Sequence, residues 1–137
     1  MRTLAEIETE VHRRAAIIGA EGAYELPTYG RSEDFARPHI EVDSRGYHFV
    51  VVERGEEQER LTSRDLEEIL FRVFETVTSS LASAYEAAHR VDAQDFRRLL
   101  FQKQVELLSQ ISEPWGQREA RRHEGILRDH PFDDRTI

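Results

Sequence analysis

Three groups of side chains in this sequence have the types and spacing that chemistry requires. The run "HPFDD" sets His130 close to Asp133 and Asp134, an imidazole and two carboxylates able to hold a divalent cation for hydrolysis. His39 and His48 lie on two neighbouring apolar-rich stretches and could approach each other across a hairpin. The third group is wholly acidic: Glu53, Glu56, Glu57 and Glu59, followed by Glu67 and Glu68. Carboxylates work as an acid–base pair only when burial raises the pKa of one member. This cluster reads as solvated, a surface that attracts cations.

The first two groups have plainer readings, which are preferred. A metal needs three convergent ligands, and the hairpin register below sets His39 opposite Val50 and His48 opposite Glu41. In "HPFDD", Pro131 ends a helix, Phe132 fills an apolar notch and the aspartates pair with arginines. "DFRRLLFQKQ" offers Arg97, Arg98 and Lys103, too few cations for a nucleic-acid surface with Asp92, Asp95 and Glu106 around them. No glycine-rich phosphate loop, HExxH, EF-hand loop or GxSxG elbow occurs. The expectation is a non-enzyme with no metal or cofactor. The alternative is a small metal-dependent hydrolase using His130, Asp133, Asp134 or the hairpin histidines.

The elements that position these groups follow from periodicity. Leu4, Ile7, Val11, Ala15 and Ile18 recur at helical spacing. The stretch from Ala23 to Pro38, with two prolines and no period, reads as a long loop, and such loops are often functional. "PHIEVD" and "YHFVVVER" then predict a hairpin with Val42 paired to Tyr47, Ile40 to Phe49 and Gly46 at a positive φ. "EEQERLT" is expected to return as a third, acidic edge strand. Thr62 or Ser63 is expected to cap a long helix carrying Leu66, Ile69, Leu70, Val73, Phe74, Val77 and Leu81 and running to His89. Asp92 or Asp95 opens another through Ile111, and Ser112 with Pro114 opens a last one, which His130-Pro131 stops, leaving "FDDRTI" as a tail. The predicted class is α+β: an N-terminal helix, a three-stranded antiparallel meander and three α-helices packed on the sheet.

A chain of 137 residues is expected to form a single domain. The absence of cysteine removes disulfides and thiolate chemistry and suits a reducing cytoplasm. The N-terminus, acidic in almost every turn, does not read as a signal peptide, and no run of about 18 apolar residues offers a membrane span. With 27 acids against 19 bases, the net charge of −8 disfavours direct nucleic-acid binding and suits a basic protein partner.

From about Leu26 to Asp134 the chain resembles the immunity protein 63 family of bacterial polymorphic-toxin and contact-dependent growth inhibition systems. The resemblance rests on "LPTYG", "PHIEVD", "GYHFVVVERG", "LTSRDLEEILF", "HR", "DFRR", "FQKQ", the single tryptophan and "HPFDD", in that order and spacing. It implies a cytoplasmic protein that binds a cognate toxin domain, frequently a nuclease, and blocks its active site or substrate access. Tyr47, Phe49, Phe96, Phe101 and Trp115 are expected to be buried fold determinants. The toxin contacts are expected on the acidic rim Glu53, Glu56, Glu57, Glu59, Glu67 and Glu68, with Tyr24, Tyr29 and Phe35 of the long loop as anchors. A monomer is expected.

Overall fold

A computed structural model describes residues 1–135; Thr136 and Ile137, the end of the expected tail, lie outside the described residues. The element order is α1 (Leu4–Ile17), β1 (Thr28–Tyr29), β2 (Pro38–Asp43), β3 (Gly46–Glu53), β4 (Glu56–Ser63), α2 (Leu66–Ala88), α3 (Phe96–Ile111) and α4 (Glu113–Asp129). The chain forms two compact units, Met1–Val77 and Thr78 onward, with the boundary inside α2.

In the first unit, α1 starts at a reciprocal cap. Thr3 Oγ1 accepts from the Glu6 N–H and Glu6 Oε1 accepts from the Thr3 N–H, so two orphan donors are satisfied. Ile7, Val11 and Ala15 form its buried stripe. The hairpin register is as expected, with Ile40 opposite Phe49, Val42 opposite Tyr47 and Asp43 opposite Gly46. Gly46 has φ +132°, and a Cβ there would meet the Ser63 carbonyl oxygen at 2.6 Å, so the close approach of β4 requires glycine. Ile40 and Phe49 are essentially fully buried, each contributing about 2 kcal/mol of apolar transfer.

Two expectations need correction here. The sheet has four strands in the order β1-β2-β3-β4, not a three-stranded meander, because β1 adds in parallel to β2 through Thr28–His39 and Tyr29–Ile40. A two-residue strand inside a proline-rich loop has no period to read. The cap of α2 is also later than Thr62 or Ser63, which belong to β4. Asp65 takes that place, its Oδ1 accepting from the Glu67 N–H at 3.0 Å.

Strand β4 carries a bulge. Val51 pairs with Glu59 and Val52 with Glu57, leaving Gln58 as the extra residue. Three residues apart, Glu57 and Arg60 would face opposite sides of a regular strand. The bulge turns them to the same side, where Glu57 Oε1 accepts from Arg60 Nη2 at 2.8 Å.

In the second unit, Asp95 caps α3 and Ser112 caps α4, with Pro114 in the first turn. The α3–α4 contact is close enough that a Cβ on Gly116 would sit 1.8 Å from Ser109 Oγ. Between the helices, Glu119 is completely buried, bonded by Arg122 Nη2 at 2.6 Å and lying 3.1 Å from His123 Nε2. His123 Nε2 also reaches Gln104 Oε1 at 3.1 Å, and its ring stacks on Phe101 at 3.9 Å. Trp115 is buried, but of the other aromatics expected in the core of this unit Phe101 is only half-buried and Phe96 is 52% exposed. Phe96 is the first residue of α3, and there it lines an open hollow with Val91, Ala93 and Asp133.

Candidate functional site

Strand β3 turns into β4 through Arg54 and Gly55, both left-handed at φ 54° and 76°. Such two-residue turns match the strand twist. The turn places Glu53 directly opposite Glu56. Like charges in that position repel, and among the described residues neither glutamate has an ion-pair partner. Glu53, Arg54, Glu56 and Gln58 line a shallow hollow at this tip, with Arg54 as its one cation.

The long loop reaches the same tip. Asp34, Phe35 and Ala36 are consecutive non-glycine residues in the left-handed region, at φ 60°, 55° and 62°. This conformation costs an L-residue about 1–2 kcal/mol, less for aspartate. It is held by bonds to the hairpin: the Ala36 N–H donates to the Val52 carbonyl at 3.0 Å, and the Gly55 N–H donates to Asp34 Oδ1 at 3.4 Å. Ser32 Oγ accepts from the Asp34 N–H at 2.8 Å, closing the turn from within. The result is a Phe35 ring 81% exposed beside the hairpin turn.

The other expected anchors separate. Tyr24 is 62% exposed, with the Arg37 guanidinium 5.2 Å from its ring centre. Arg37 is itself fixed by the Leu26 carbonyl and Glu33. Tyr29 sits in β1, half-buried, with its hydroxyl enclosed and lacking a hydrogen bond among the described residues. Burial, assisted by the negative charge of Glu8, pushes this phenol well above its ordinary range.

The acidic rim also divides. Glu59 takes two bonds of 2.8 Å from Arg72, and Glu57 is held by Arg60. Glu67 takes bonds of 2.9 and 2.6 Å from Arg14, which hold its carboxyl below the usual range against the opposing effect of burial. Glu68 is half-buried on the first turn of α2. Glu53 and Glu56 thus differ from Glu57, Glu59 and Glu67 in having no ion pair among the described residues.

The residues of the hydrolase alternative are dispersed among other partners. His39 is bonded to Glu41 at 2.7 Å, while His48 bridges Thr62 at 2.7 Å and Asp43 at 2.8 Å. His130 closes α4 through its backbone. Asp134 grips Arg98 and accepts from the Asp95 N–H, and Asp133 bonds Arg135. Arg98 lies 4.2 Å from the Phe132 ring centre. Among the described residues, no three His, Asp or Glu side chains are placed to hold a metal ion. No helix among them is long and apolar enough to cross a membrane.

Asp34, Arg54 and Gln58 were not singled out from sequence. The signals available were the "SED" run, whose serine and aspartate favour such turns, and the "RG" pair between alternating stretches. Nothing local marks the Gln58 bulge.

Fold and site define a small α+β protein with an exposed, acidic and aromatic hairpin tip. The family is specific: the immunity protein 63 model matches residues 43–125, and the chain belongs to that family. The match covers β3, β4, α2 and α3, including Glu53 and Glu56, and stops short of the Phe35 loop. Neither a curated protein nor a solved structure matches the chain.

Proposed function

We propose that this protein neutralises a cognate toxin domain by binding it through the β3–β4 tip and covering its active site or the approach to it. Membership of the immunity protein 63 family carries this reading. The tip supports the location, because two opposed glutamates without an ion pair among the described residues are a place where a partner's lysine or arginine relieves repulsion. The toxin is a basic domain and, in this reading, a nuclease, since a phosphate-binding groove supplies cations for an inhibitor of charge −8 to meet. The protein acts in the cytoplasm as a single-domain monomer, without catalysis, metal or cofactor. It belongs to a polymorphic-toxin or contact-dependent inhibition system.

The test is co-expression with the toxin domain encoded beside this chain's gene. Full protection of growth, together with an equimolar complex in which nucleic-acid cleavage stops, is the expected result. Protection without any cleavage activity in the free toxin removes the nuclease assignment. Loss of protection sinks the immunity reading.

A further inference from the structure

We infer that Phe35 is the apolar anchor of the toxin complex, seating in a notch on the toxin whose rim carries lysine or arginine. This inference rests on the immunity reading and deepens it by naming the chemistry of the partner's surface. A single exposed aromatic is ordinary on a protein surface; this one is distinguished by how it is held. Of the large apolar side chains among the described residues, Phe35 is the most exposed, at 81%. It stands on a left-handed turn whose preceding and following residues are both bonded to the hairpin, Asp34 to Gly55 and Ala36 to Val52. The ring is therefore carried on a fixed backbone, and little freedom remains to be lost on binding.

Charge complementarity commits the occupant. The tip next to Phe35 presents Glu53 and Glu56 on adjacent strand ends without an ion pair among the described residues, while Glu57, Glu59 and Glu67 are ion-paired with Arg60, Arg72 and Arg14. A basic partner meets carboxylates free of ion pairs here. Addition of a partner strand to the β4 edge is the less suitable mode, because the Gln58 bulge and the edge charges disrupt a regular ladder. The aromatic turn lies outside the family-matched segment, residues 43–125.

Anchor and charge separate kinetically: the buried ring governs dissociation and the rim governs association. The toxin domain encoded beside this chain's gene is immobilised, and binding is followed at about 0.05 and 0.5 M salt. Phe35→Ala is expected to speed dissociation about 30-fold, with association within about twofold of the parent. Phe35→Leu retains most of the affinity. Asp34→Ala, which removes the Gly55 clamp and keeps the ring, moves dissociation in the same direction by less. The ring is exposed in the free protein, so the Phe35→Ala thermal midpoint stays unchanged, and a folding defect cannot imitate the result. Parental dissociation by Phe35→Ala, with the wild type bound tightly, overturns the anchor and leaves the immunity reading standing. Failure of the wild type to bind overturns both.

Discussion

The interior of the α3–α4 pair and the tip of the β3–β4 hairpin treat charge in opposite ways. Glu119 is completely enclosed and carries charge-assisted bonds from Arg122 and His123. Glu53 and Glu56 are exposed, face each other and have no ion pair among the described residues. A buried carboxylate without partners would cost several kcal/mol, so the interior must be satisfied by the chain itself. An exposed repulsion costs only tenths of a kcal/mol and can be left for another molecule to satisfy. The same contrast holds for the backbone. The α3–α4 contact is tight around Gly116, and among the described residues four of the five left-handed non-glycine residues, Asp34, Phe35, Ala36 and Arg54, gather at the tip, the fifth being Ala93 ahead of α3. Unpaired charge and unfavourable backbone coincide at this one exposed place, where the proposed contact lies.

The sharpest way to break this comparison is to remove the interior charge. Burial would push Glu119 up, but the bonds from His123 and Arg122 outweigh it and hold its carboxyl at about 2. A folded-state pKa below the unfolded value of 4.5 means that Glu119 contributes its full stability above that pH and loses it as the pH falls towards 2. Glu119→Gln is therefore expected to cost about 3 kcal/mol in urea unfolding at pH 7, with the gap from wild type narrowing at pH 3. A pH-independent gap would show that packing, not charge, governs this position.

Next in size is the helix contact. Gly116→Ala sets a Cβ against Ser109 Oγ at 1.8 Å and Cβ at 2.9 Å, and is expected to cost about 2 kcal/mol despite alanine's better helix propensity. Adding Ser109→Gly removes both clashing atoms and recovers part of the loss. Unfolding curves of the two variants decide it.

At the hairpin the effects move from stability to binding. Glu59→Gln, which strips a two-bond partner from Arg72, is expected to lose about 1 kcal/mol. Glu53→Gln with Glu56→Gln is expected to be neutral or to gain up to about 0.5 kcal/mol, because repulsion is relieved. The latter pair slows toxin association about tenfold at low salt and much less at high salt. Equal stability losses from both sets would erase the distinction between compensated and uncompensated acids. The smallest expected effect is Ala36→Gly. Relief of the left-handed φ of 62° offsets glycine's greater unfolded-state freedom, and a gain of about 0.5 kcal/mol should appear in thermal unfolding.

Much of this fold is local enough to be read from residues in order. The alternation of "PHIEVD" and "YHFVVVER", closed by a glycine, specified the pairing of Ile40 with Phe49 because a one-residue slip would turn the apolar set outwards. Asp95 and Ser112 were legible as caps, and "HPFDD" as a helix stop whose aspartates meet arginines, since both depend on neighbours within a few residues or on a plain charge match. The family is legible as well, its model matching residues 43–125, from the end of β2 into α4.

What tertiary structure alone decided is which members of each set are used. The six rim glutamates are equivalent as a sequence pattern. Glu67 is neutralised by an arginine 53 positions away and Glu59 by one 13 positions away, and a bulge of one residue turns Glu57 from one face to the other. Phe35 and Tyr29 read alike as loop aromatics, yet a two-residue parallel strand carries Tyr29 inward, and two hydrogen bonds to the hairpin hold the turn that exposes Phe35. Periodicity and capping follow from covalent geometry and reach only a turn or two along the chain. The partner of a charge, and the exposure of a ring, depend on which distant segments the fold brings beside it.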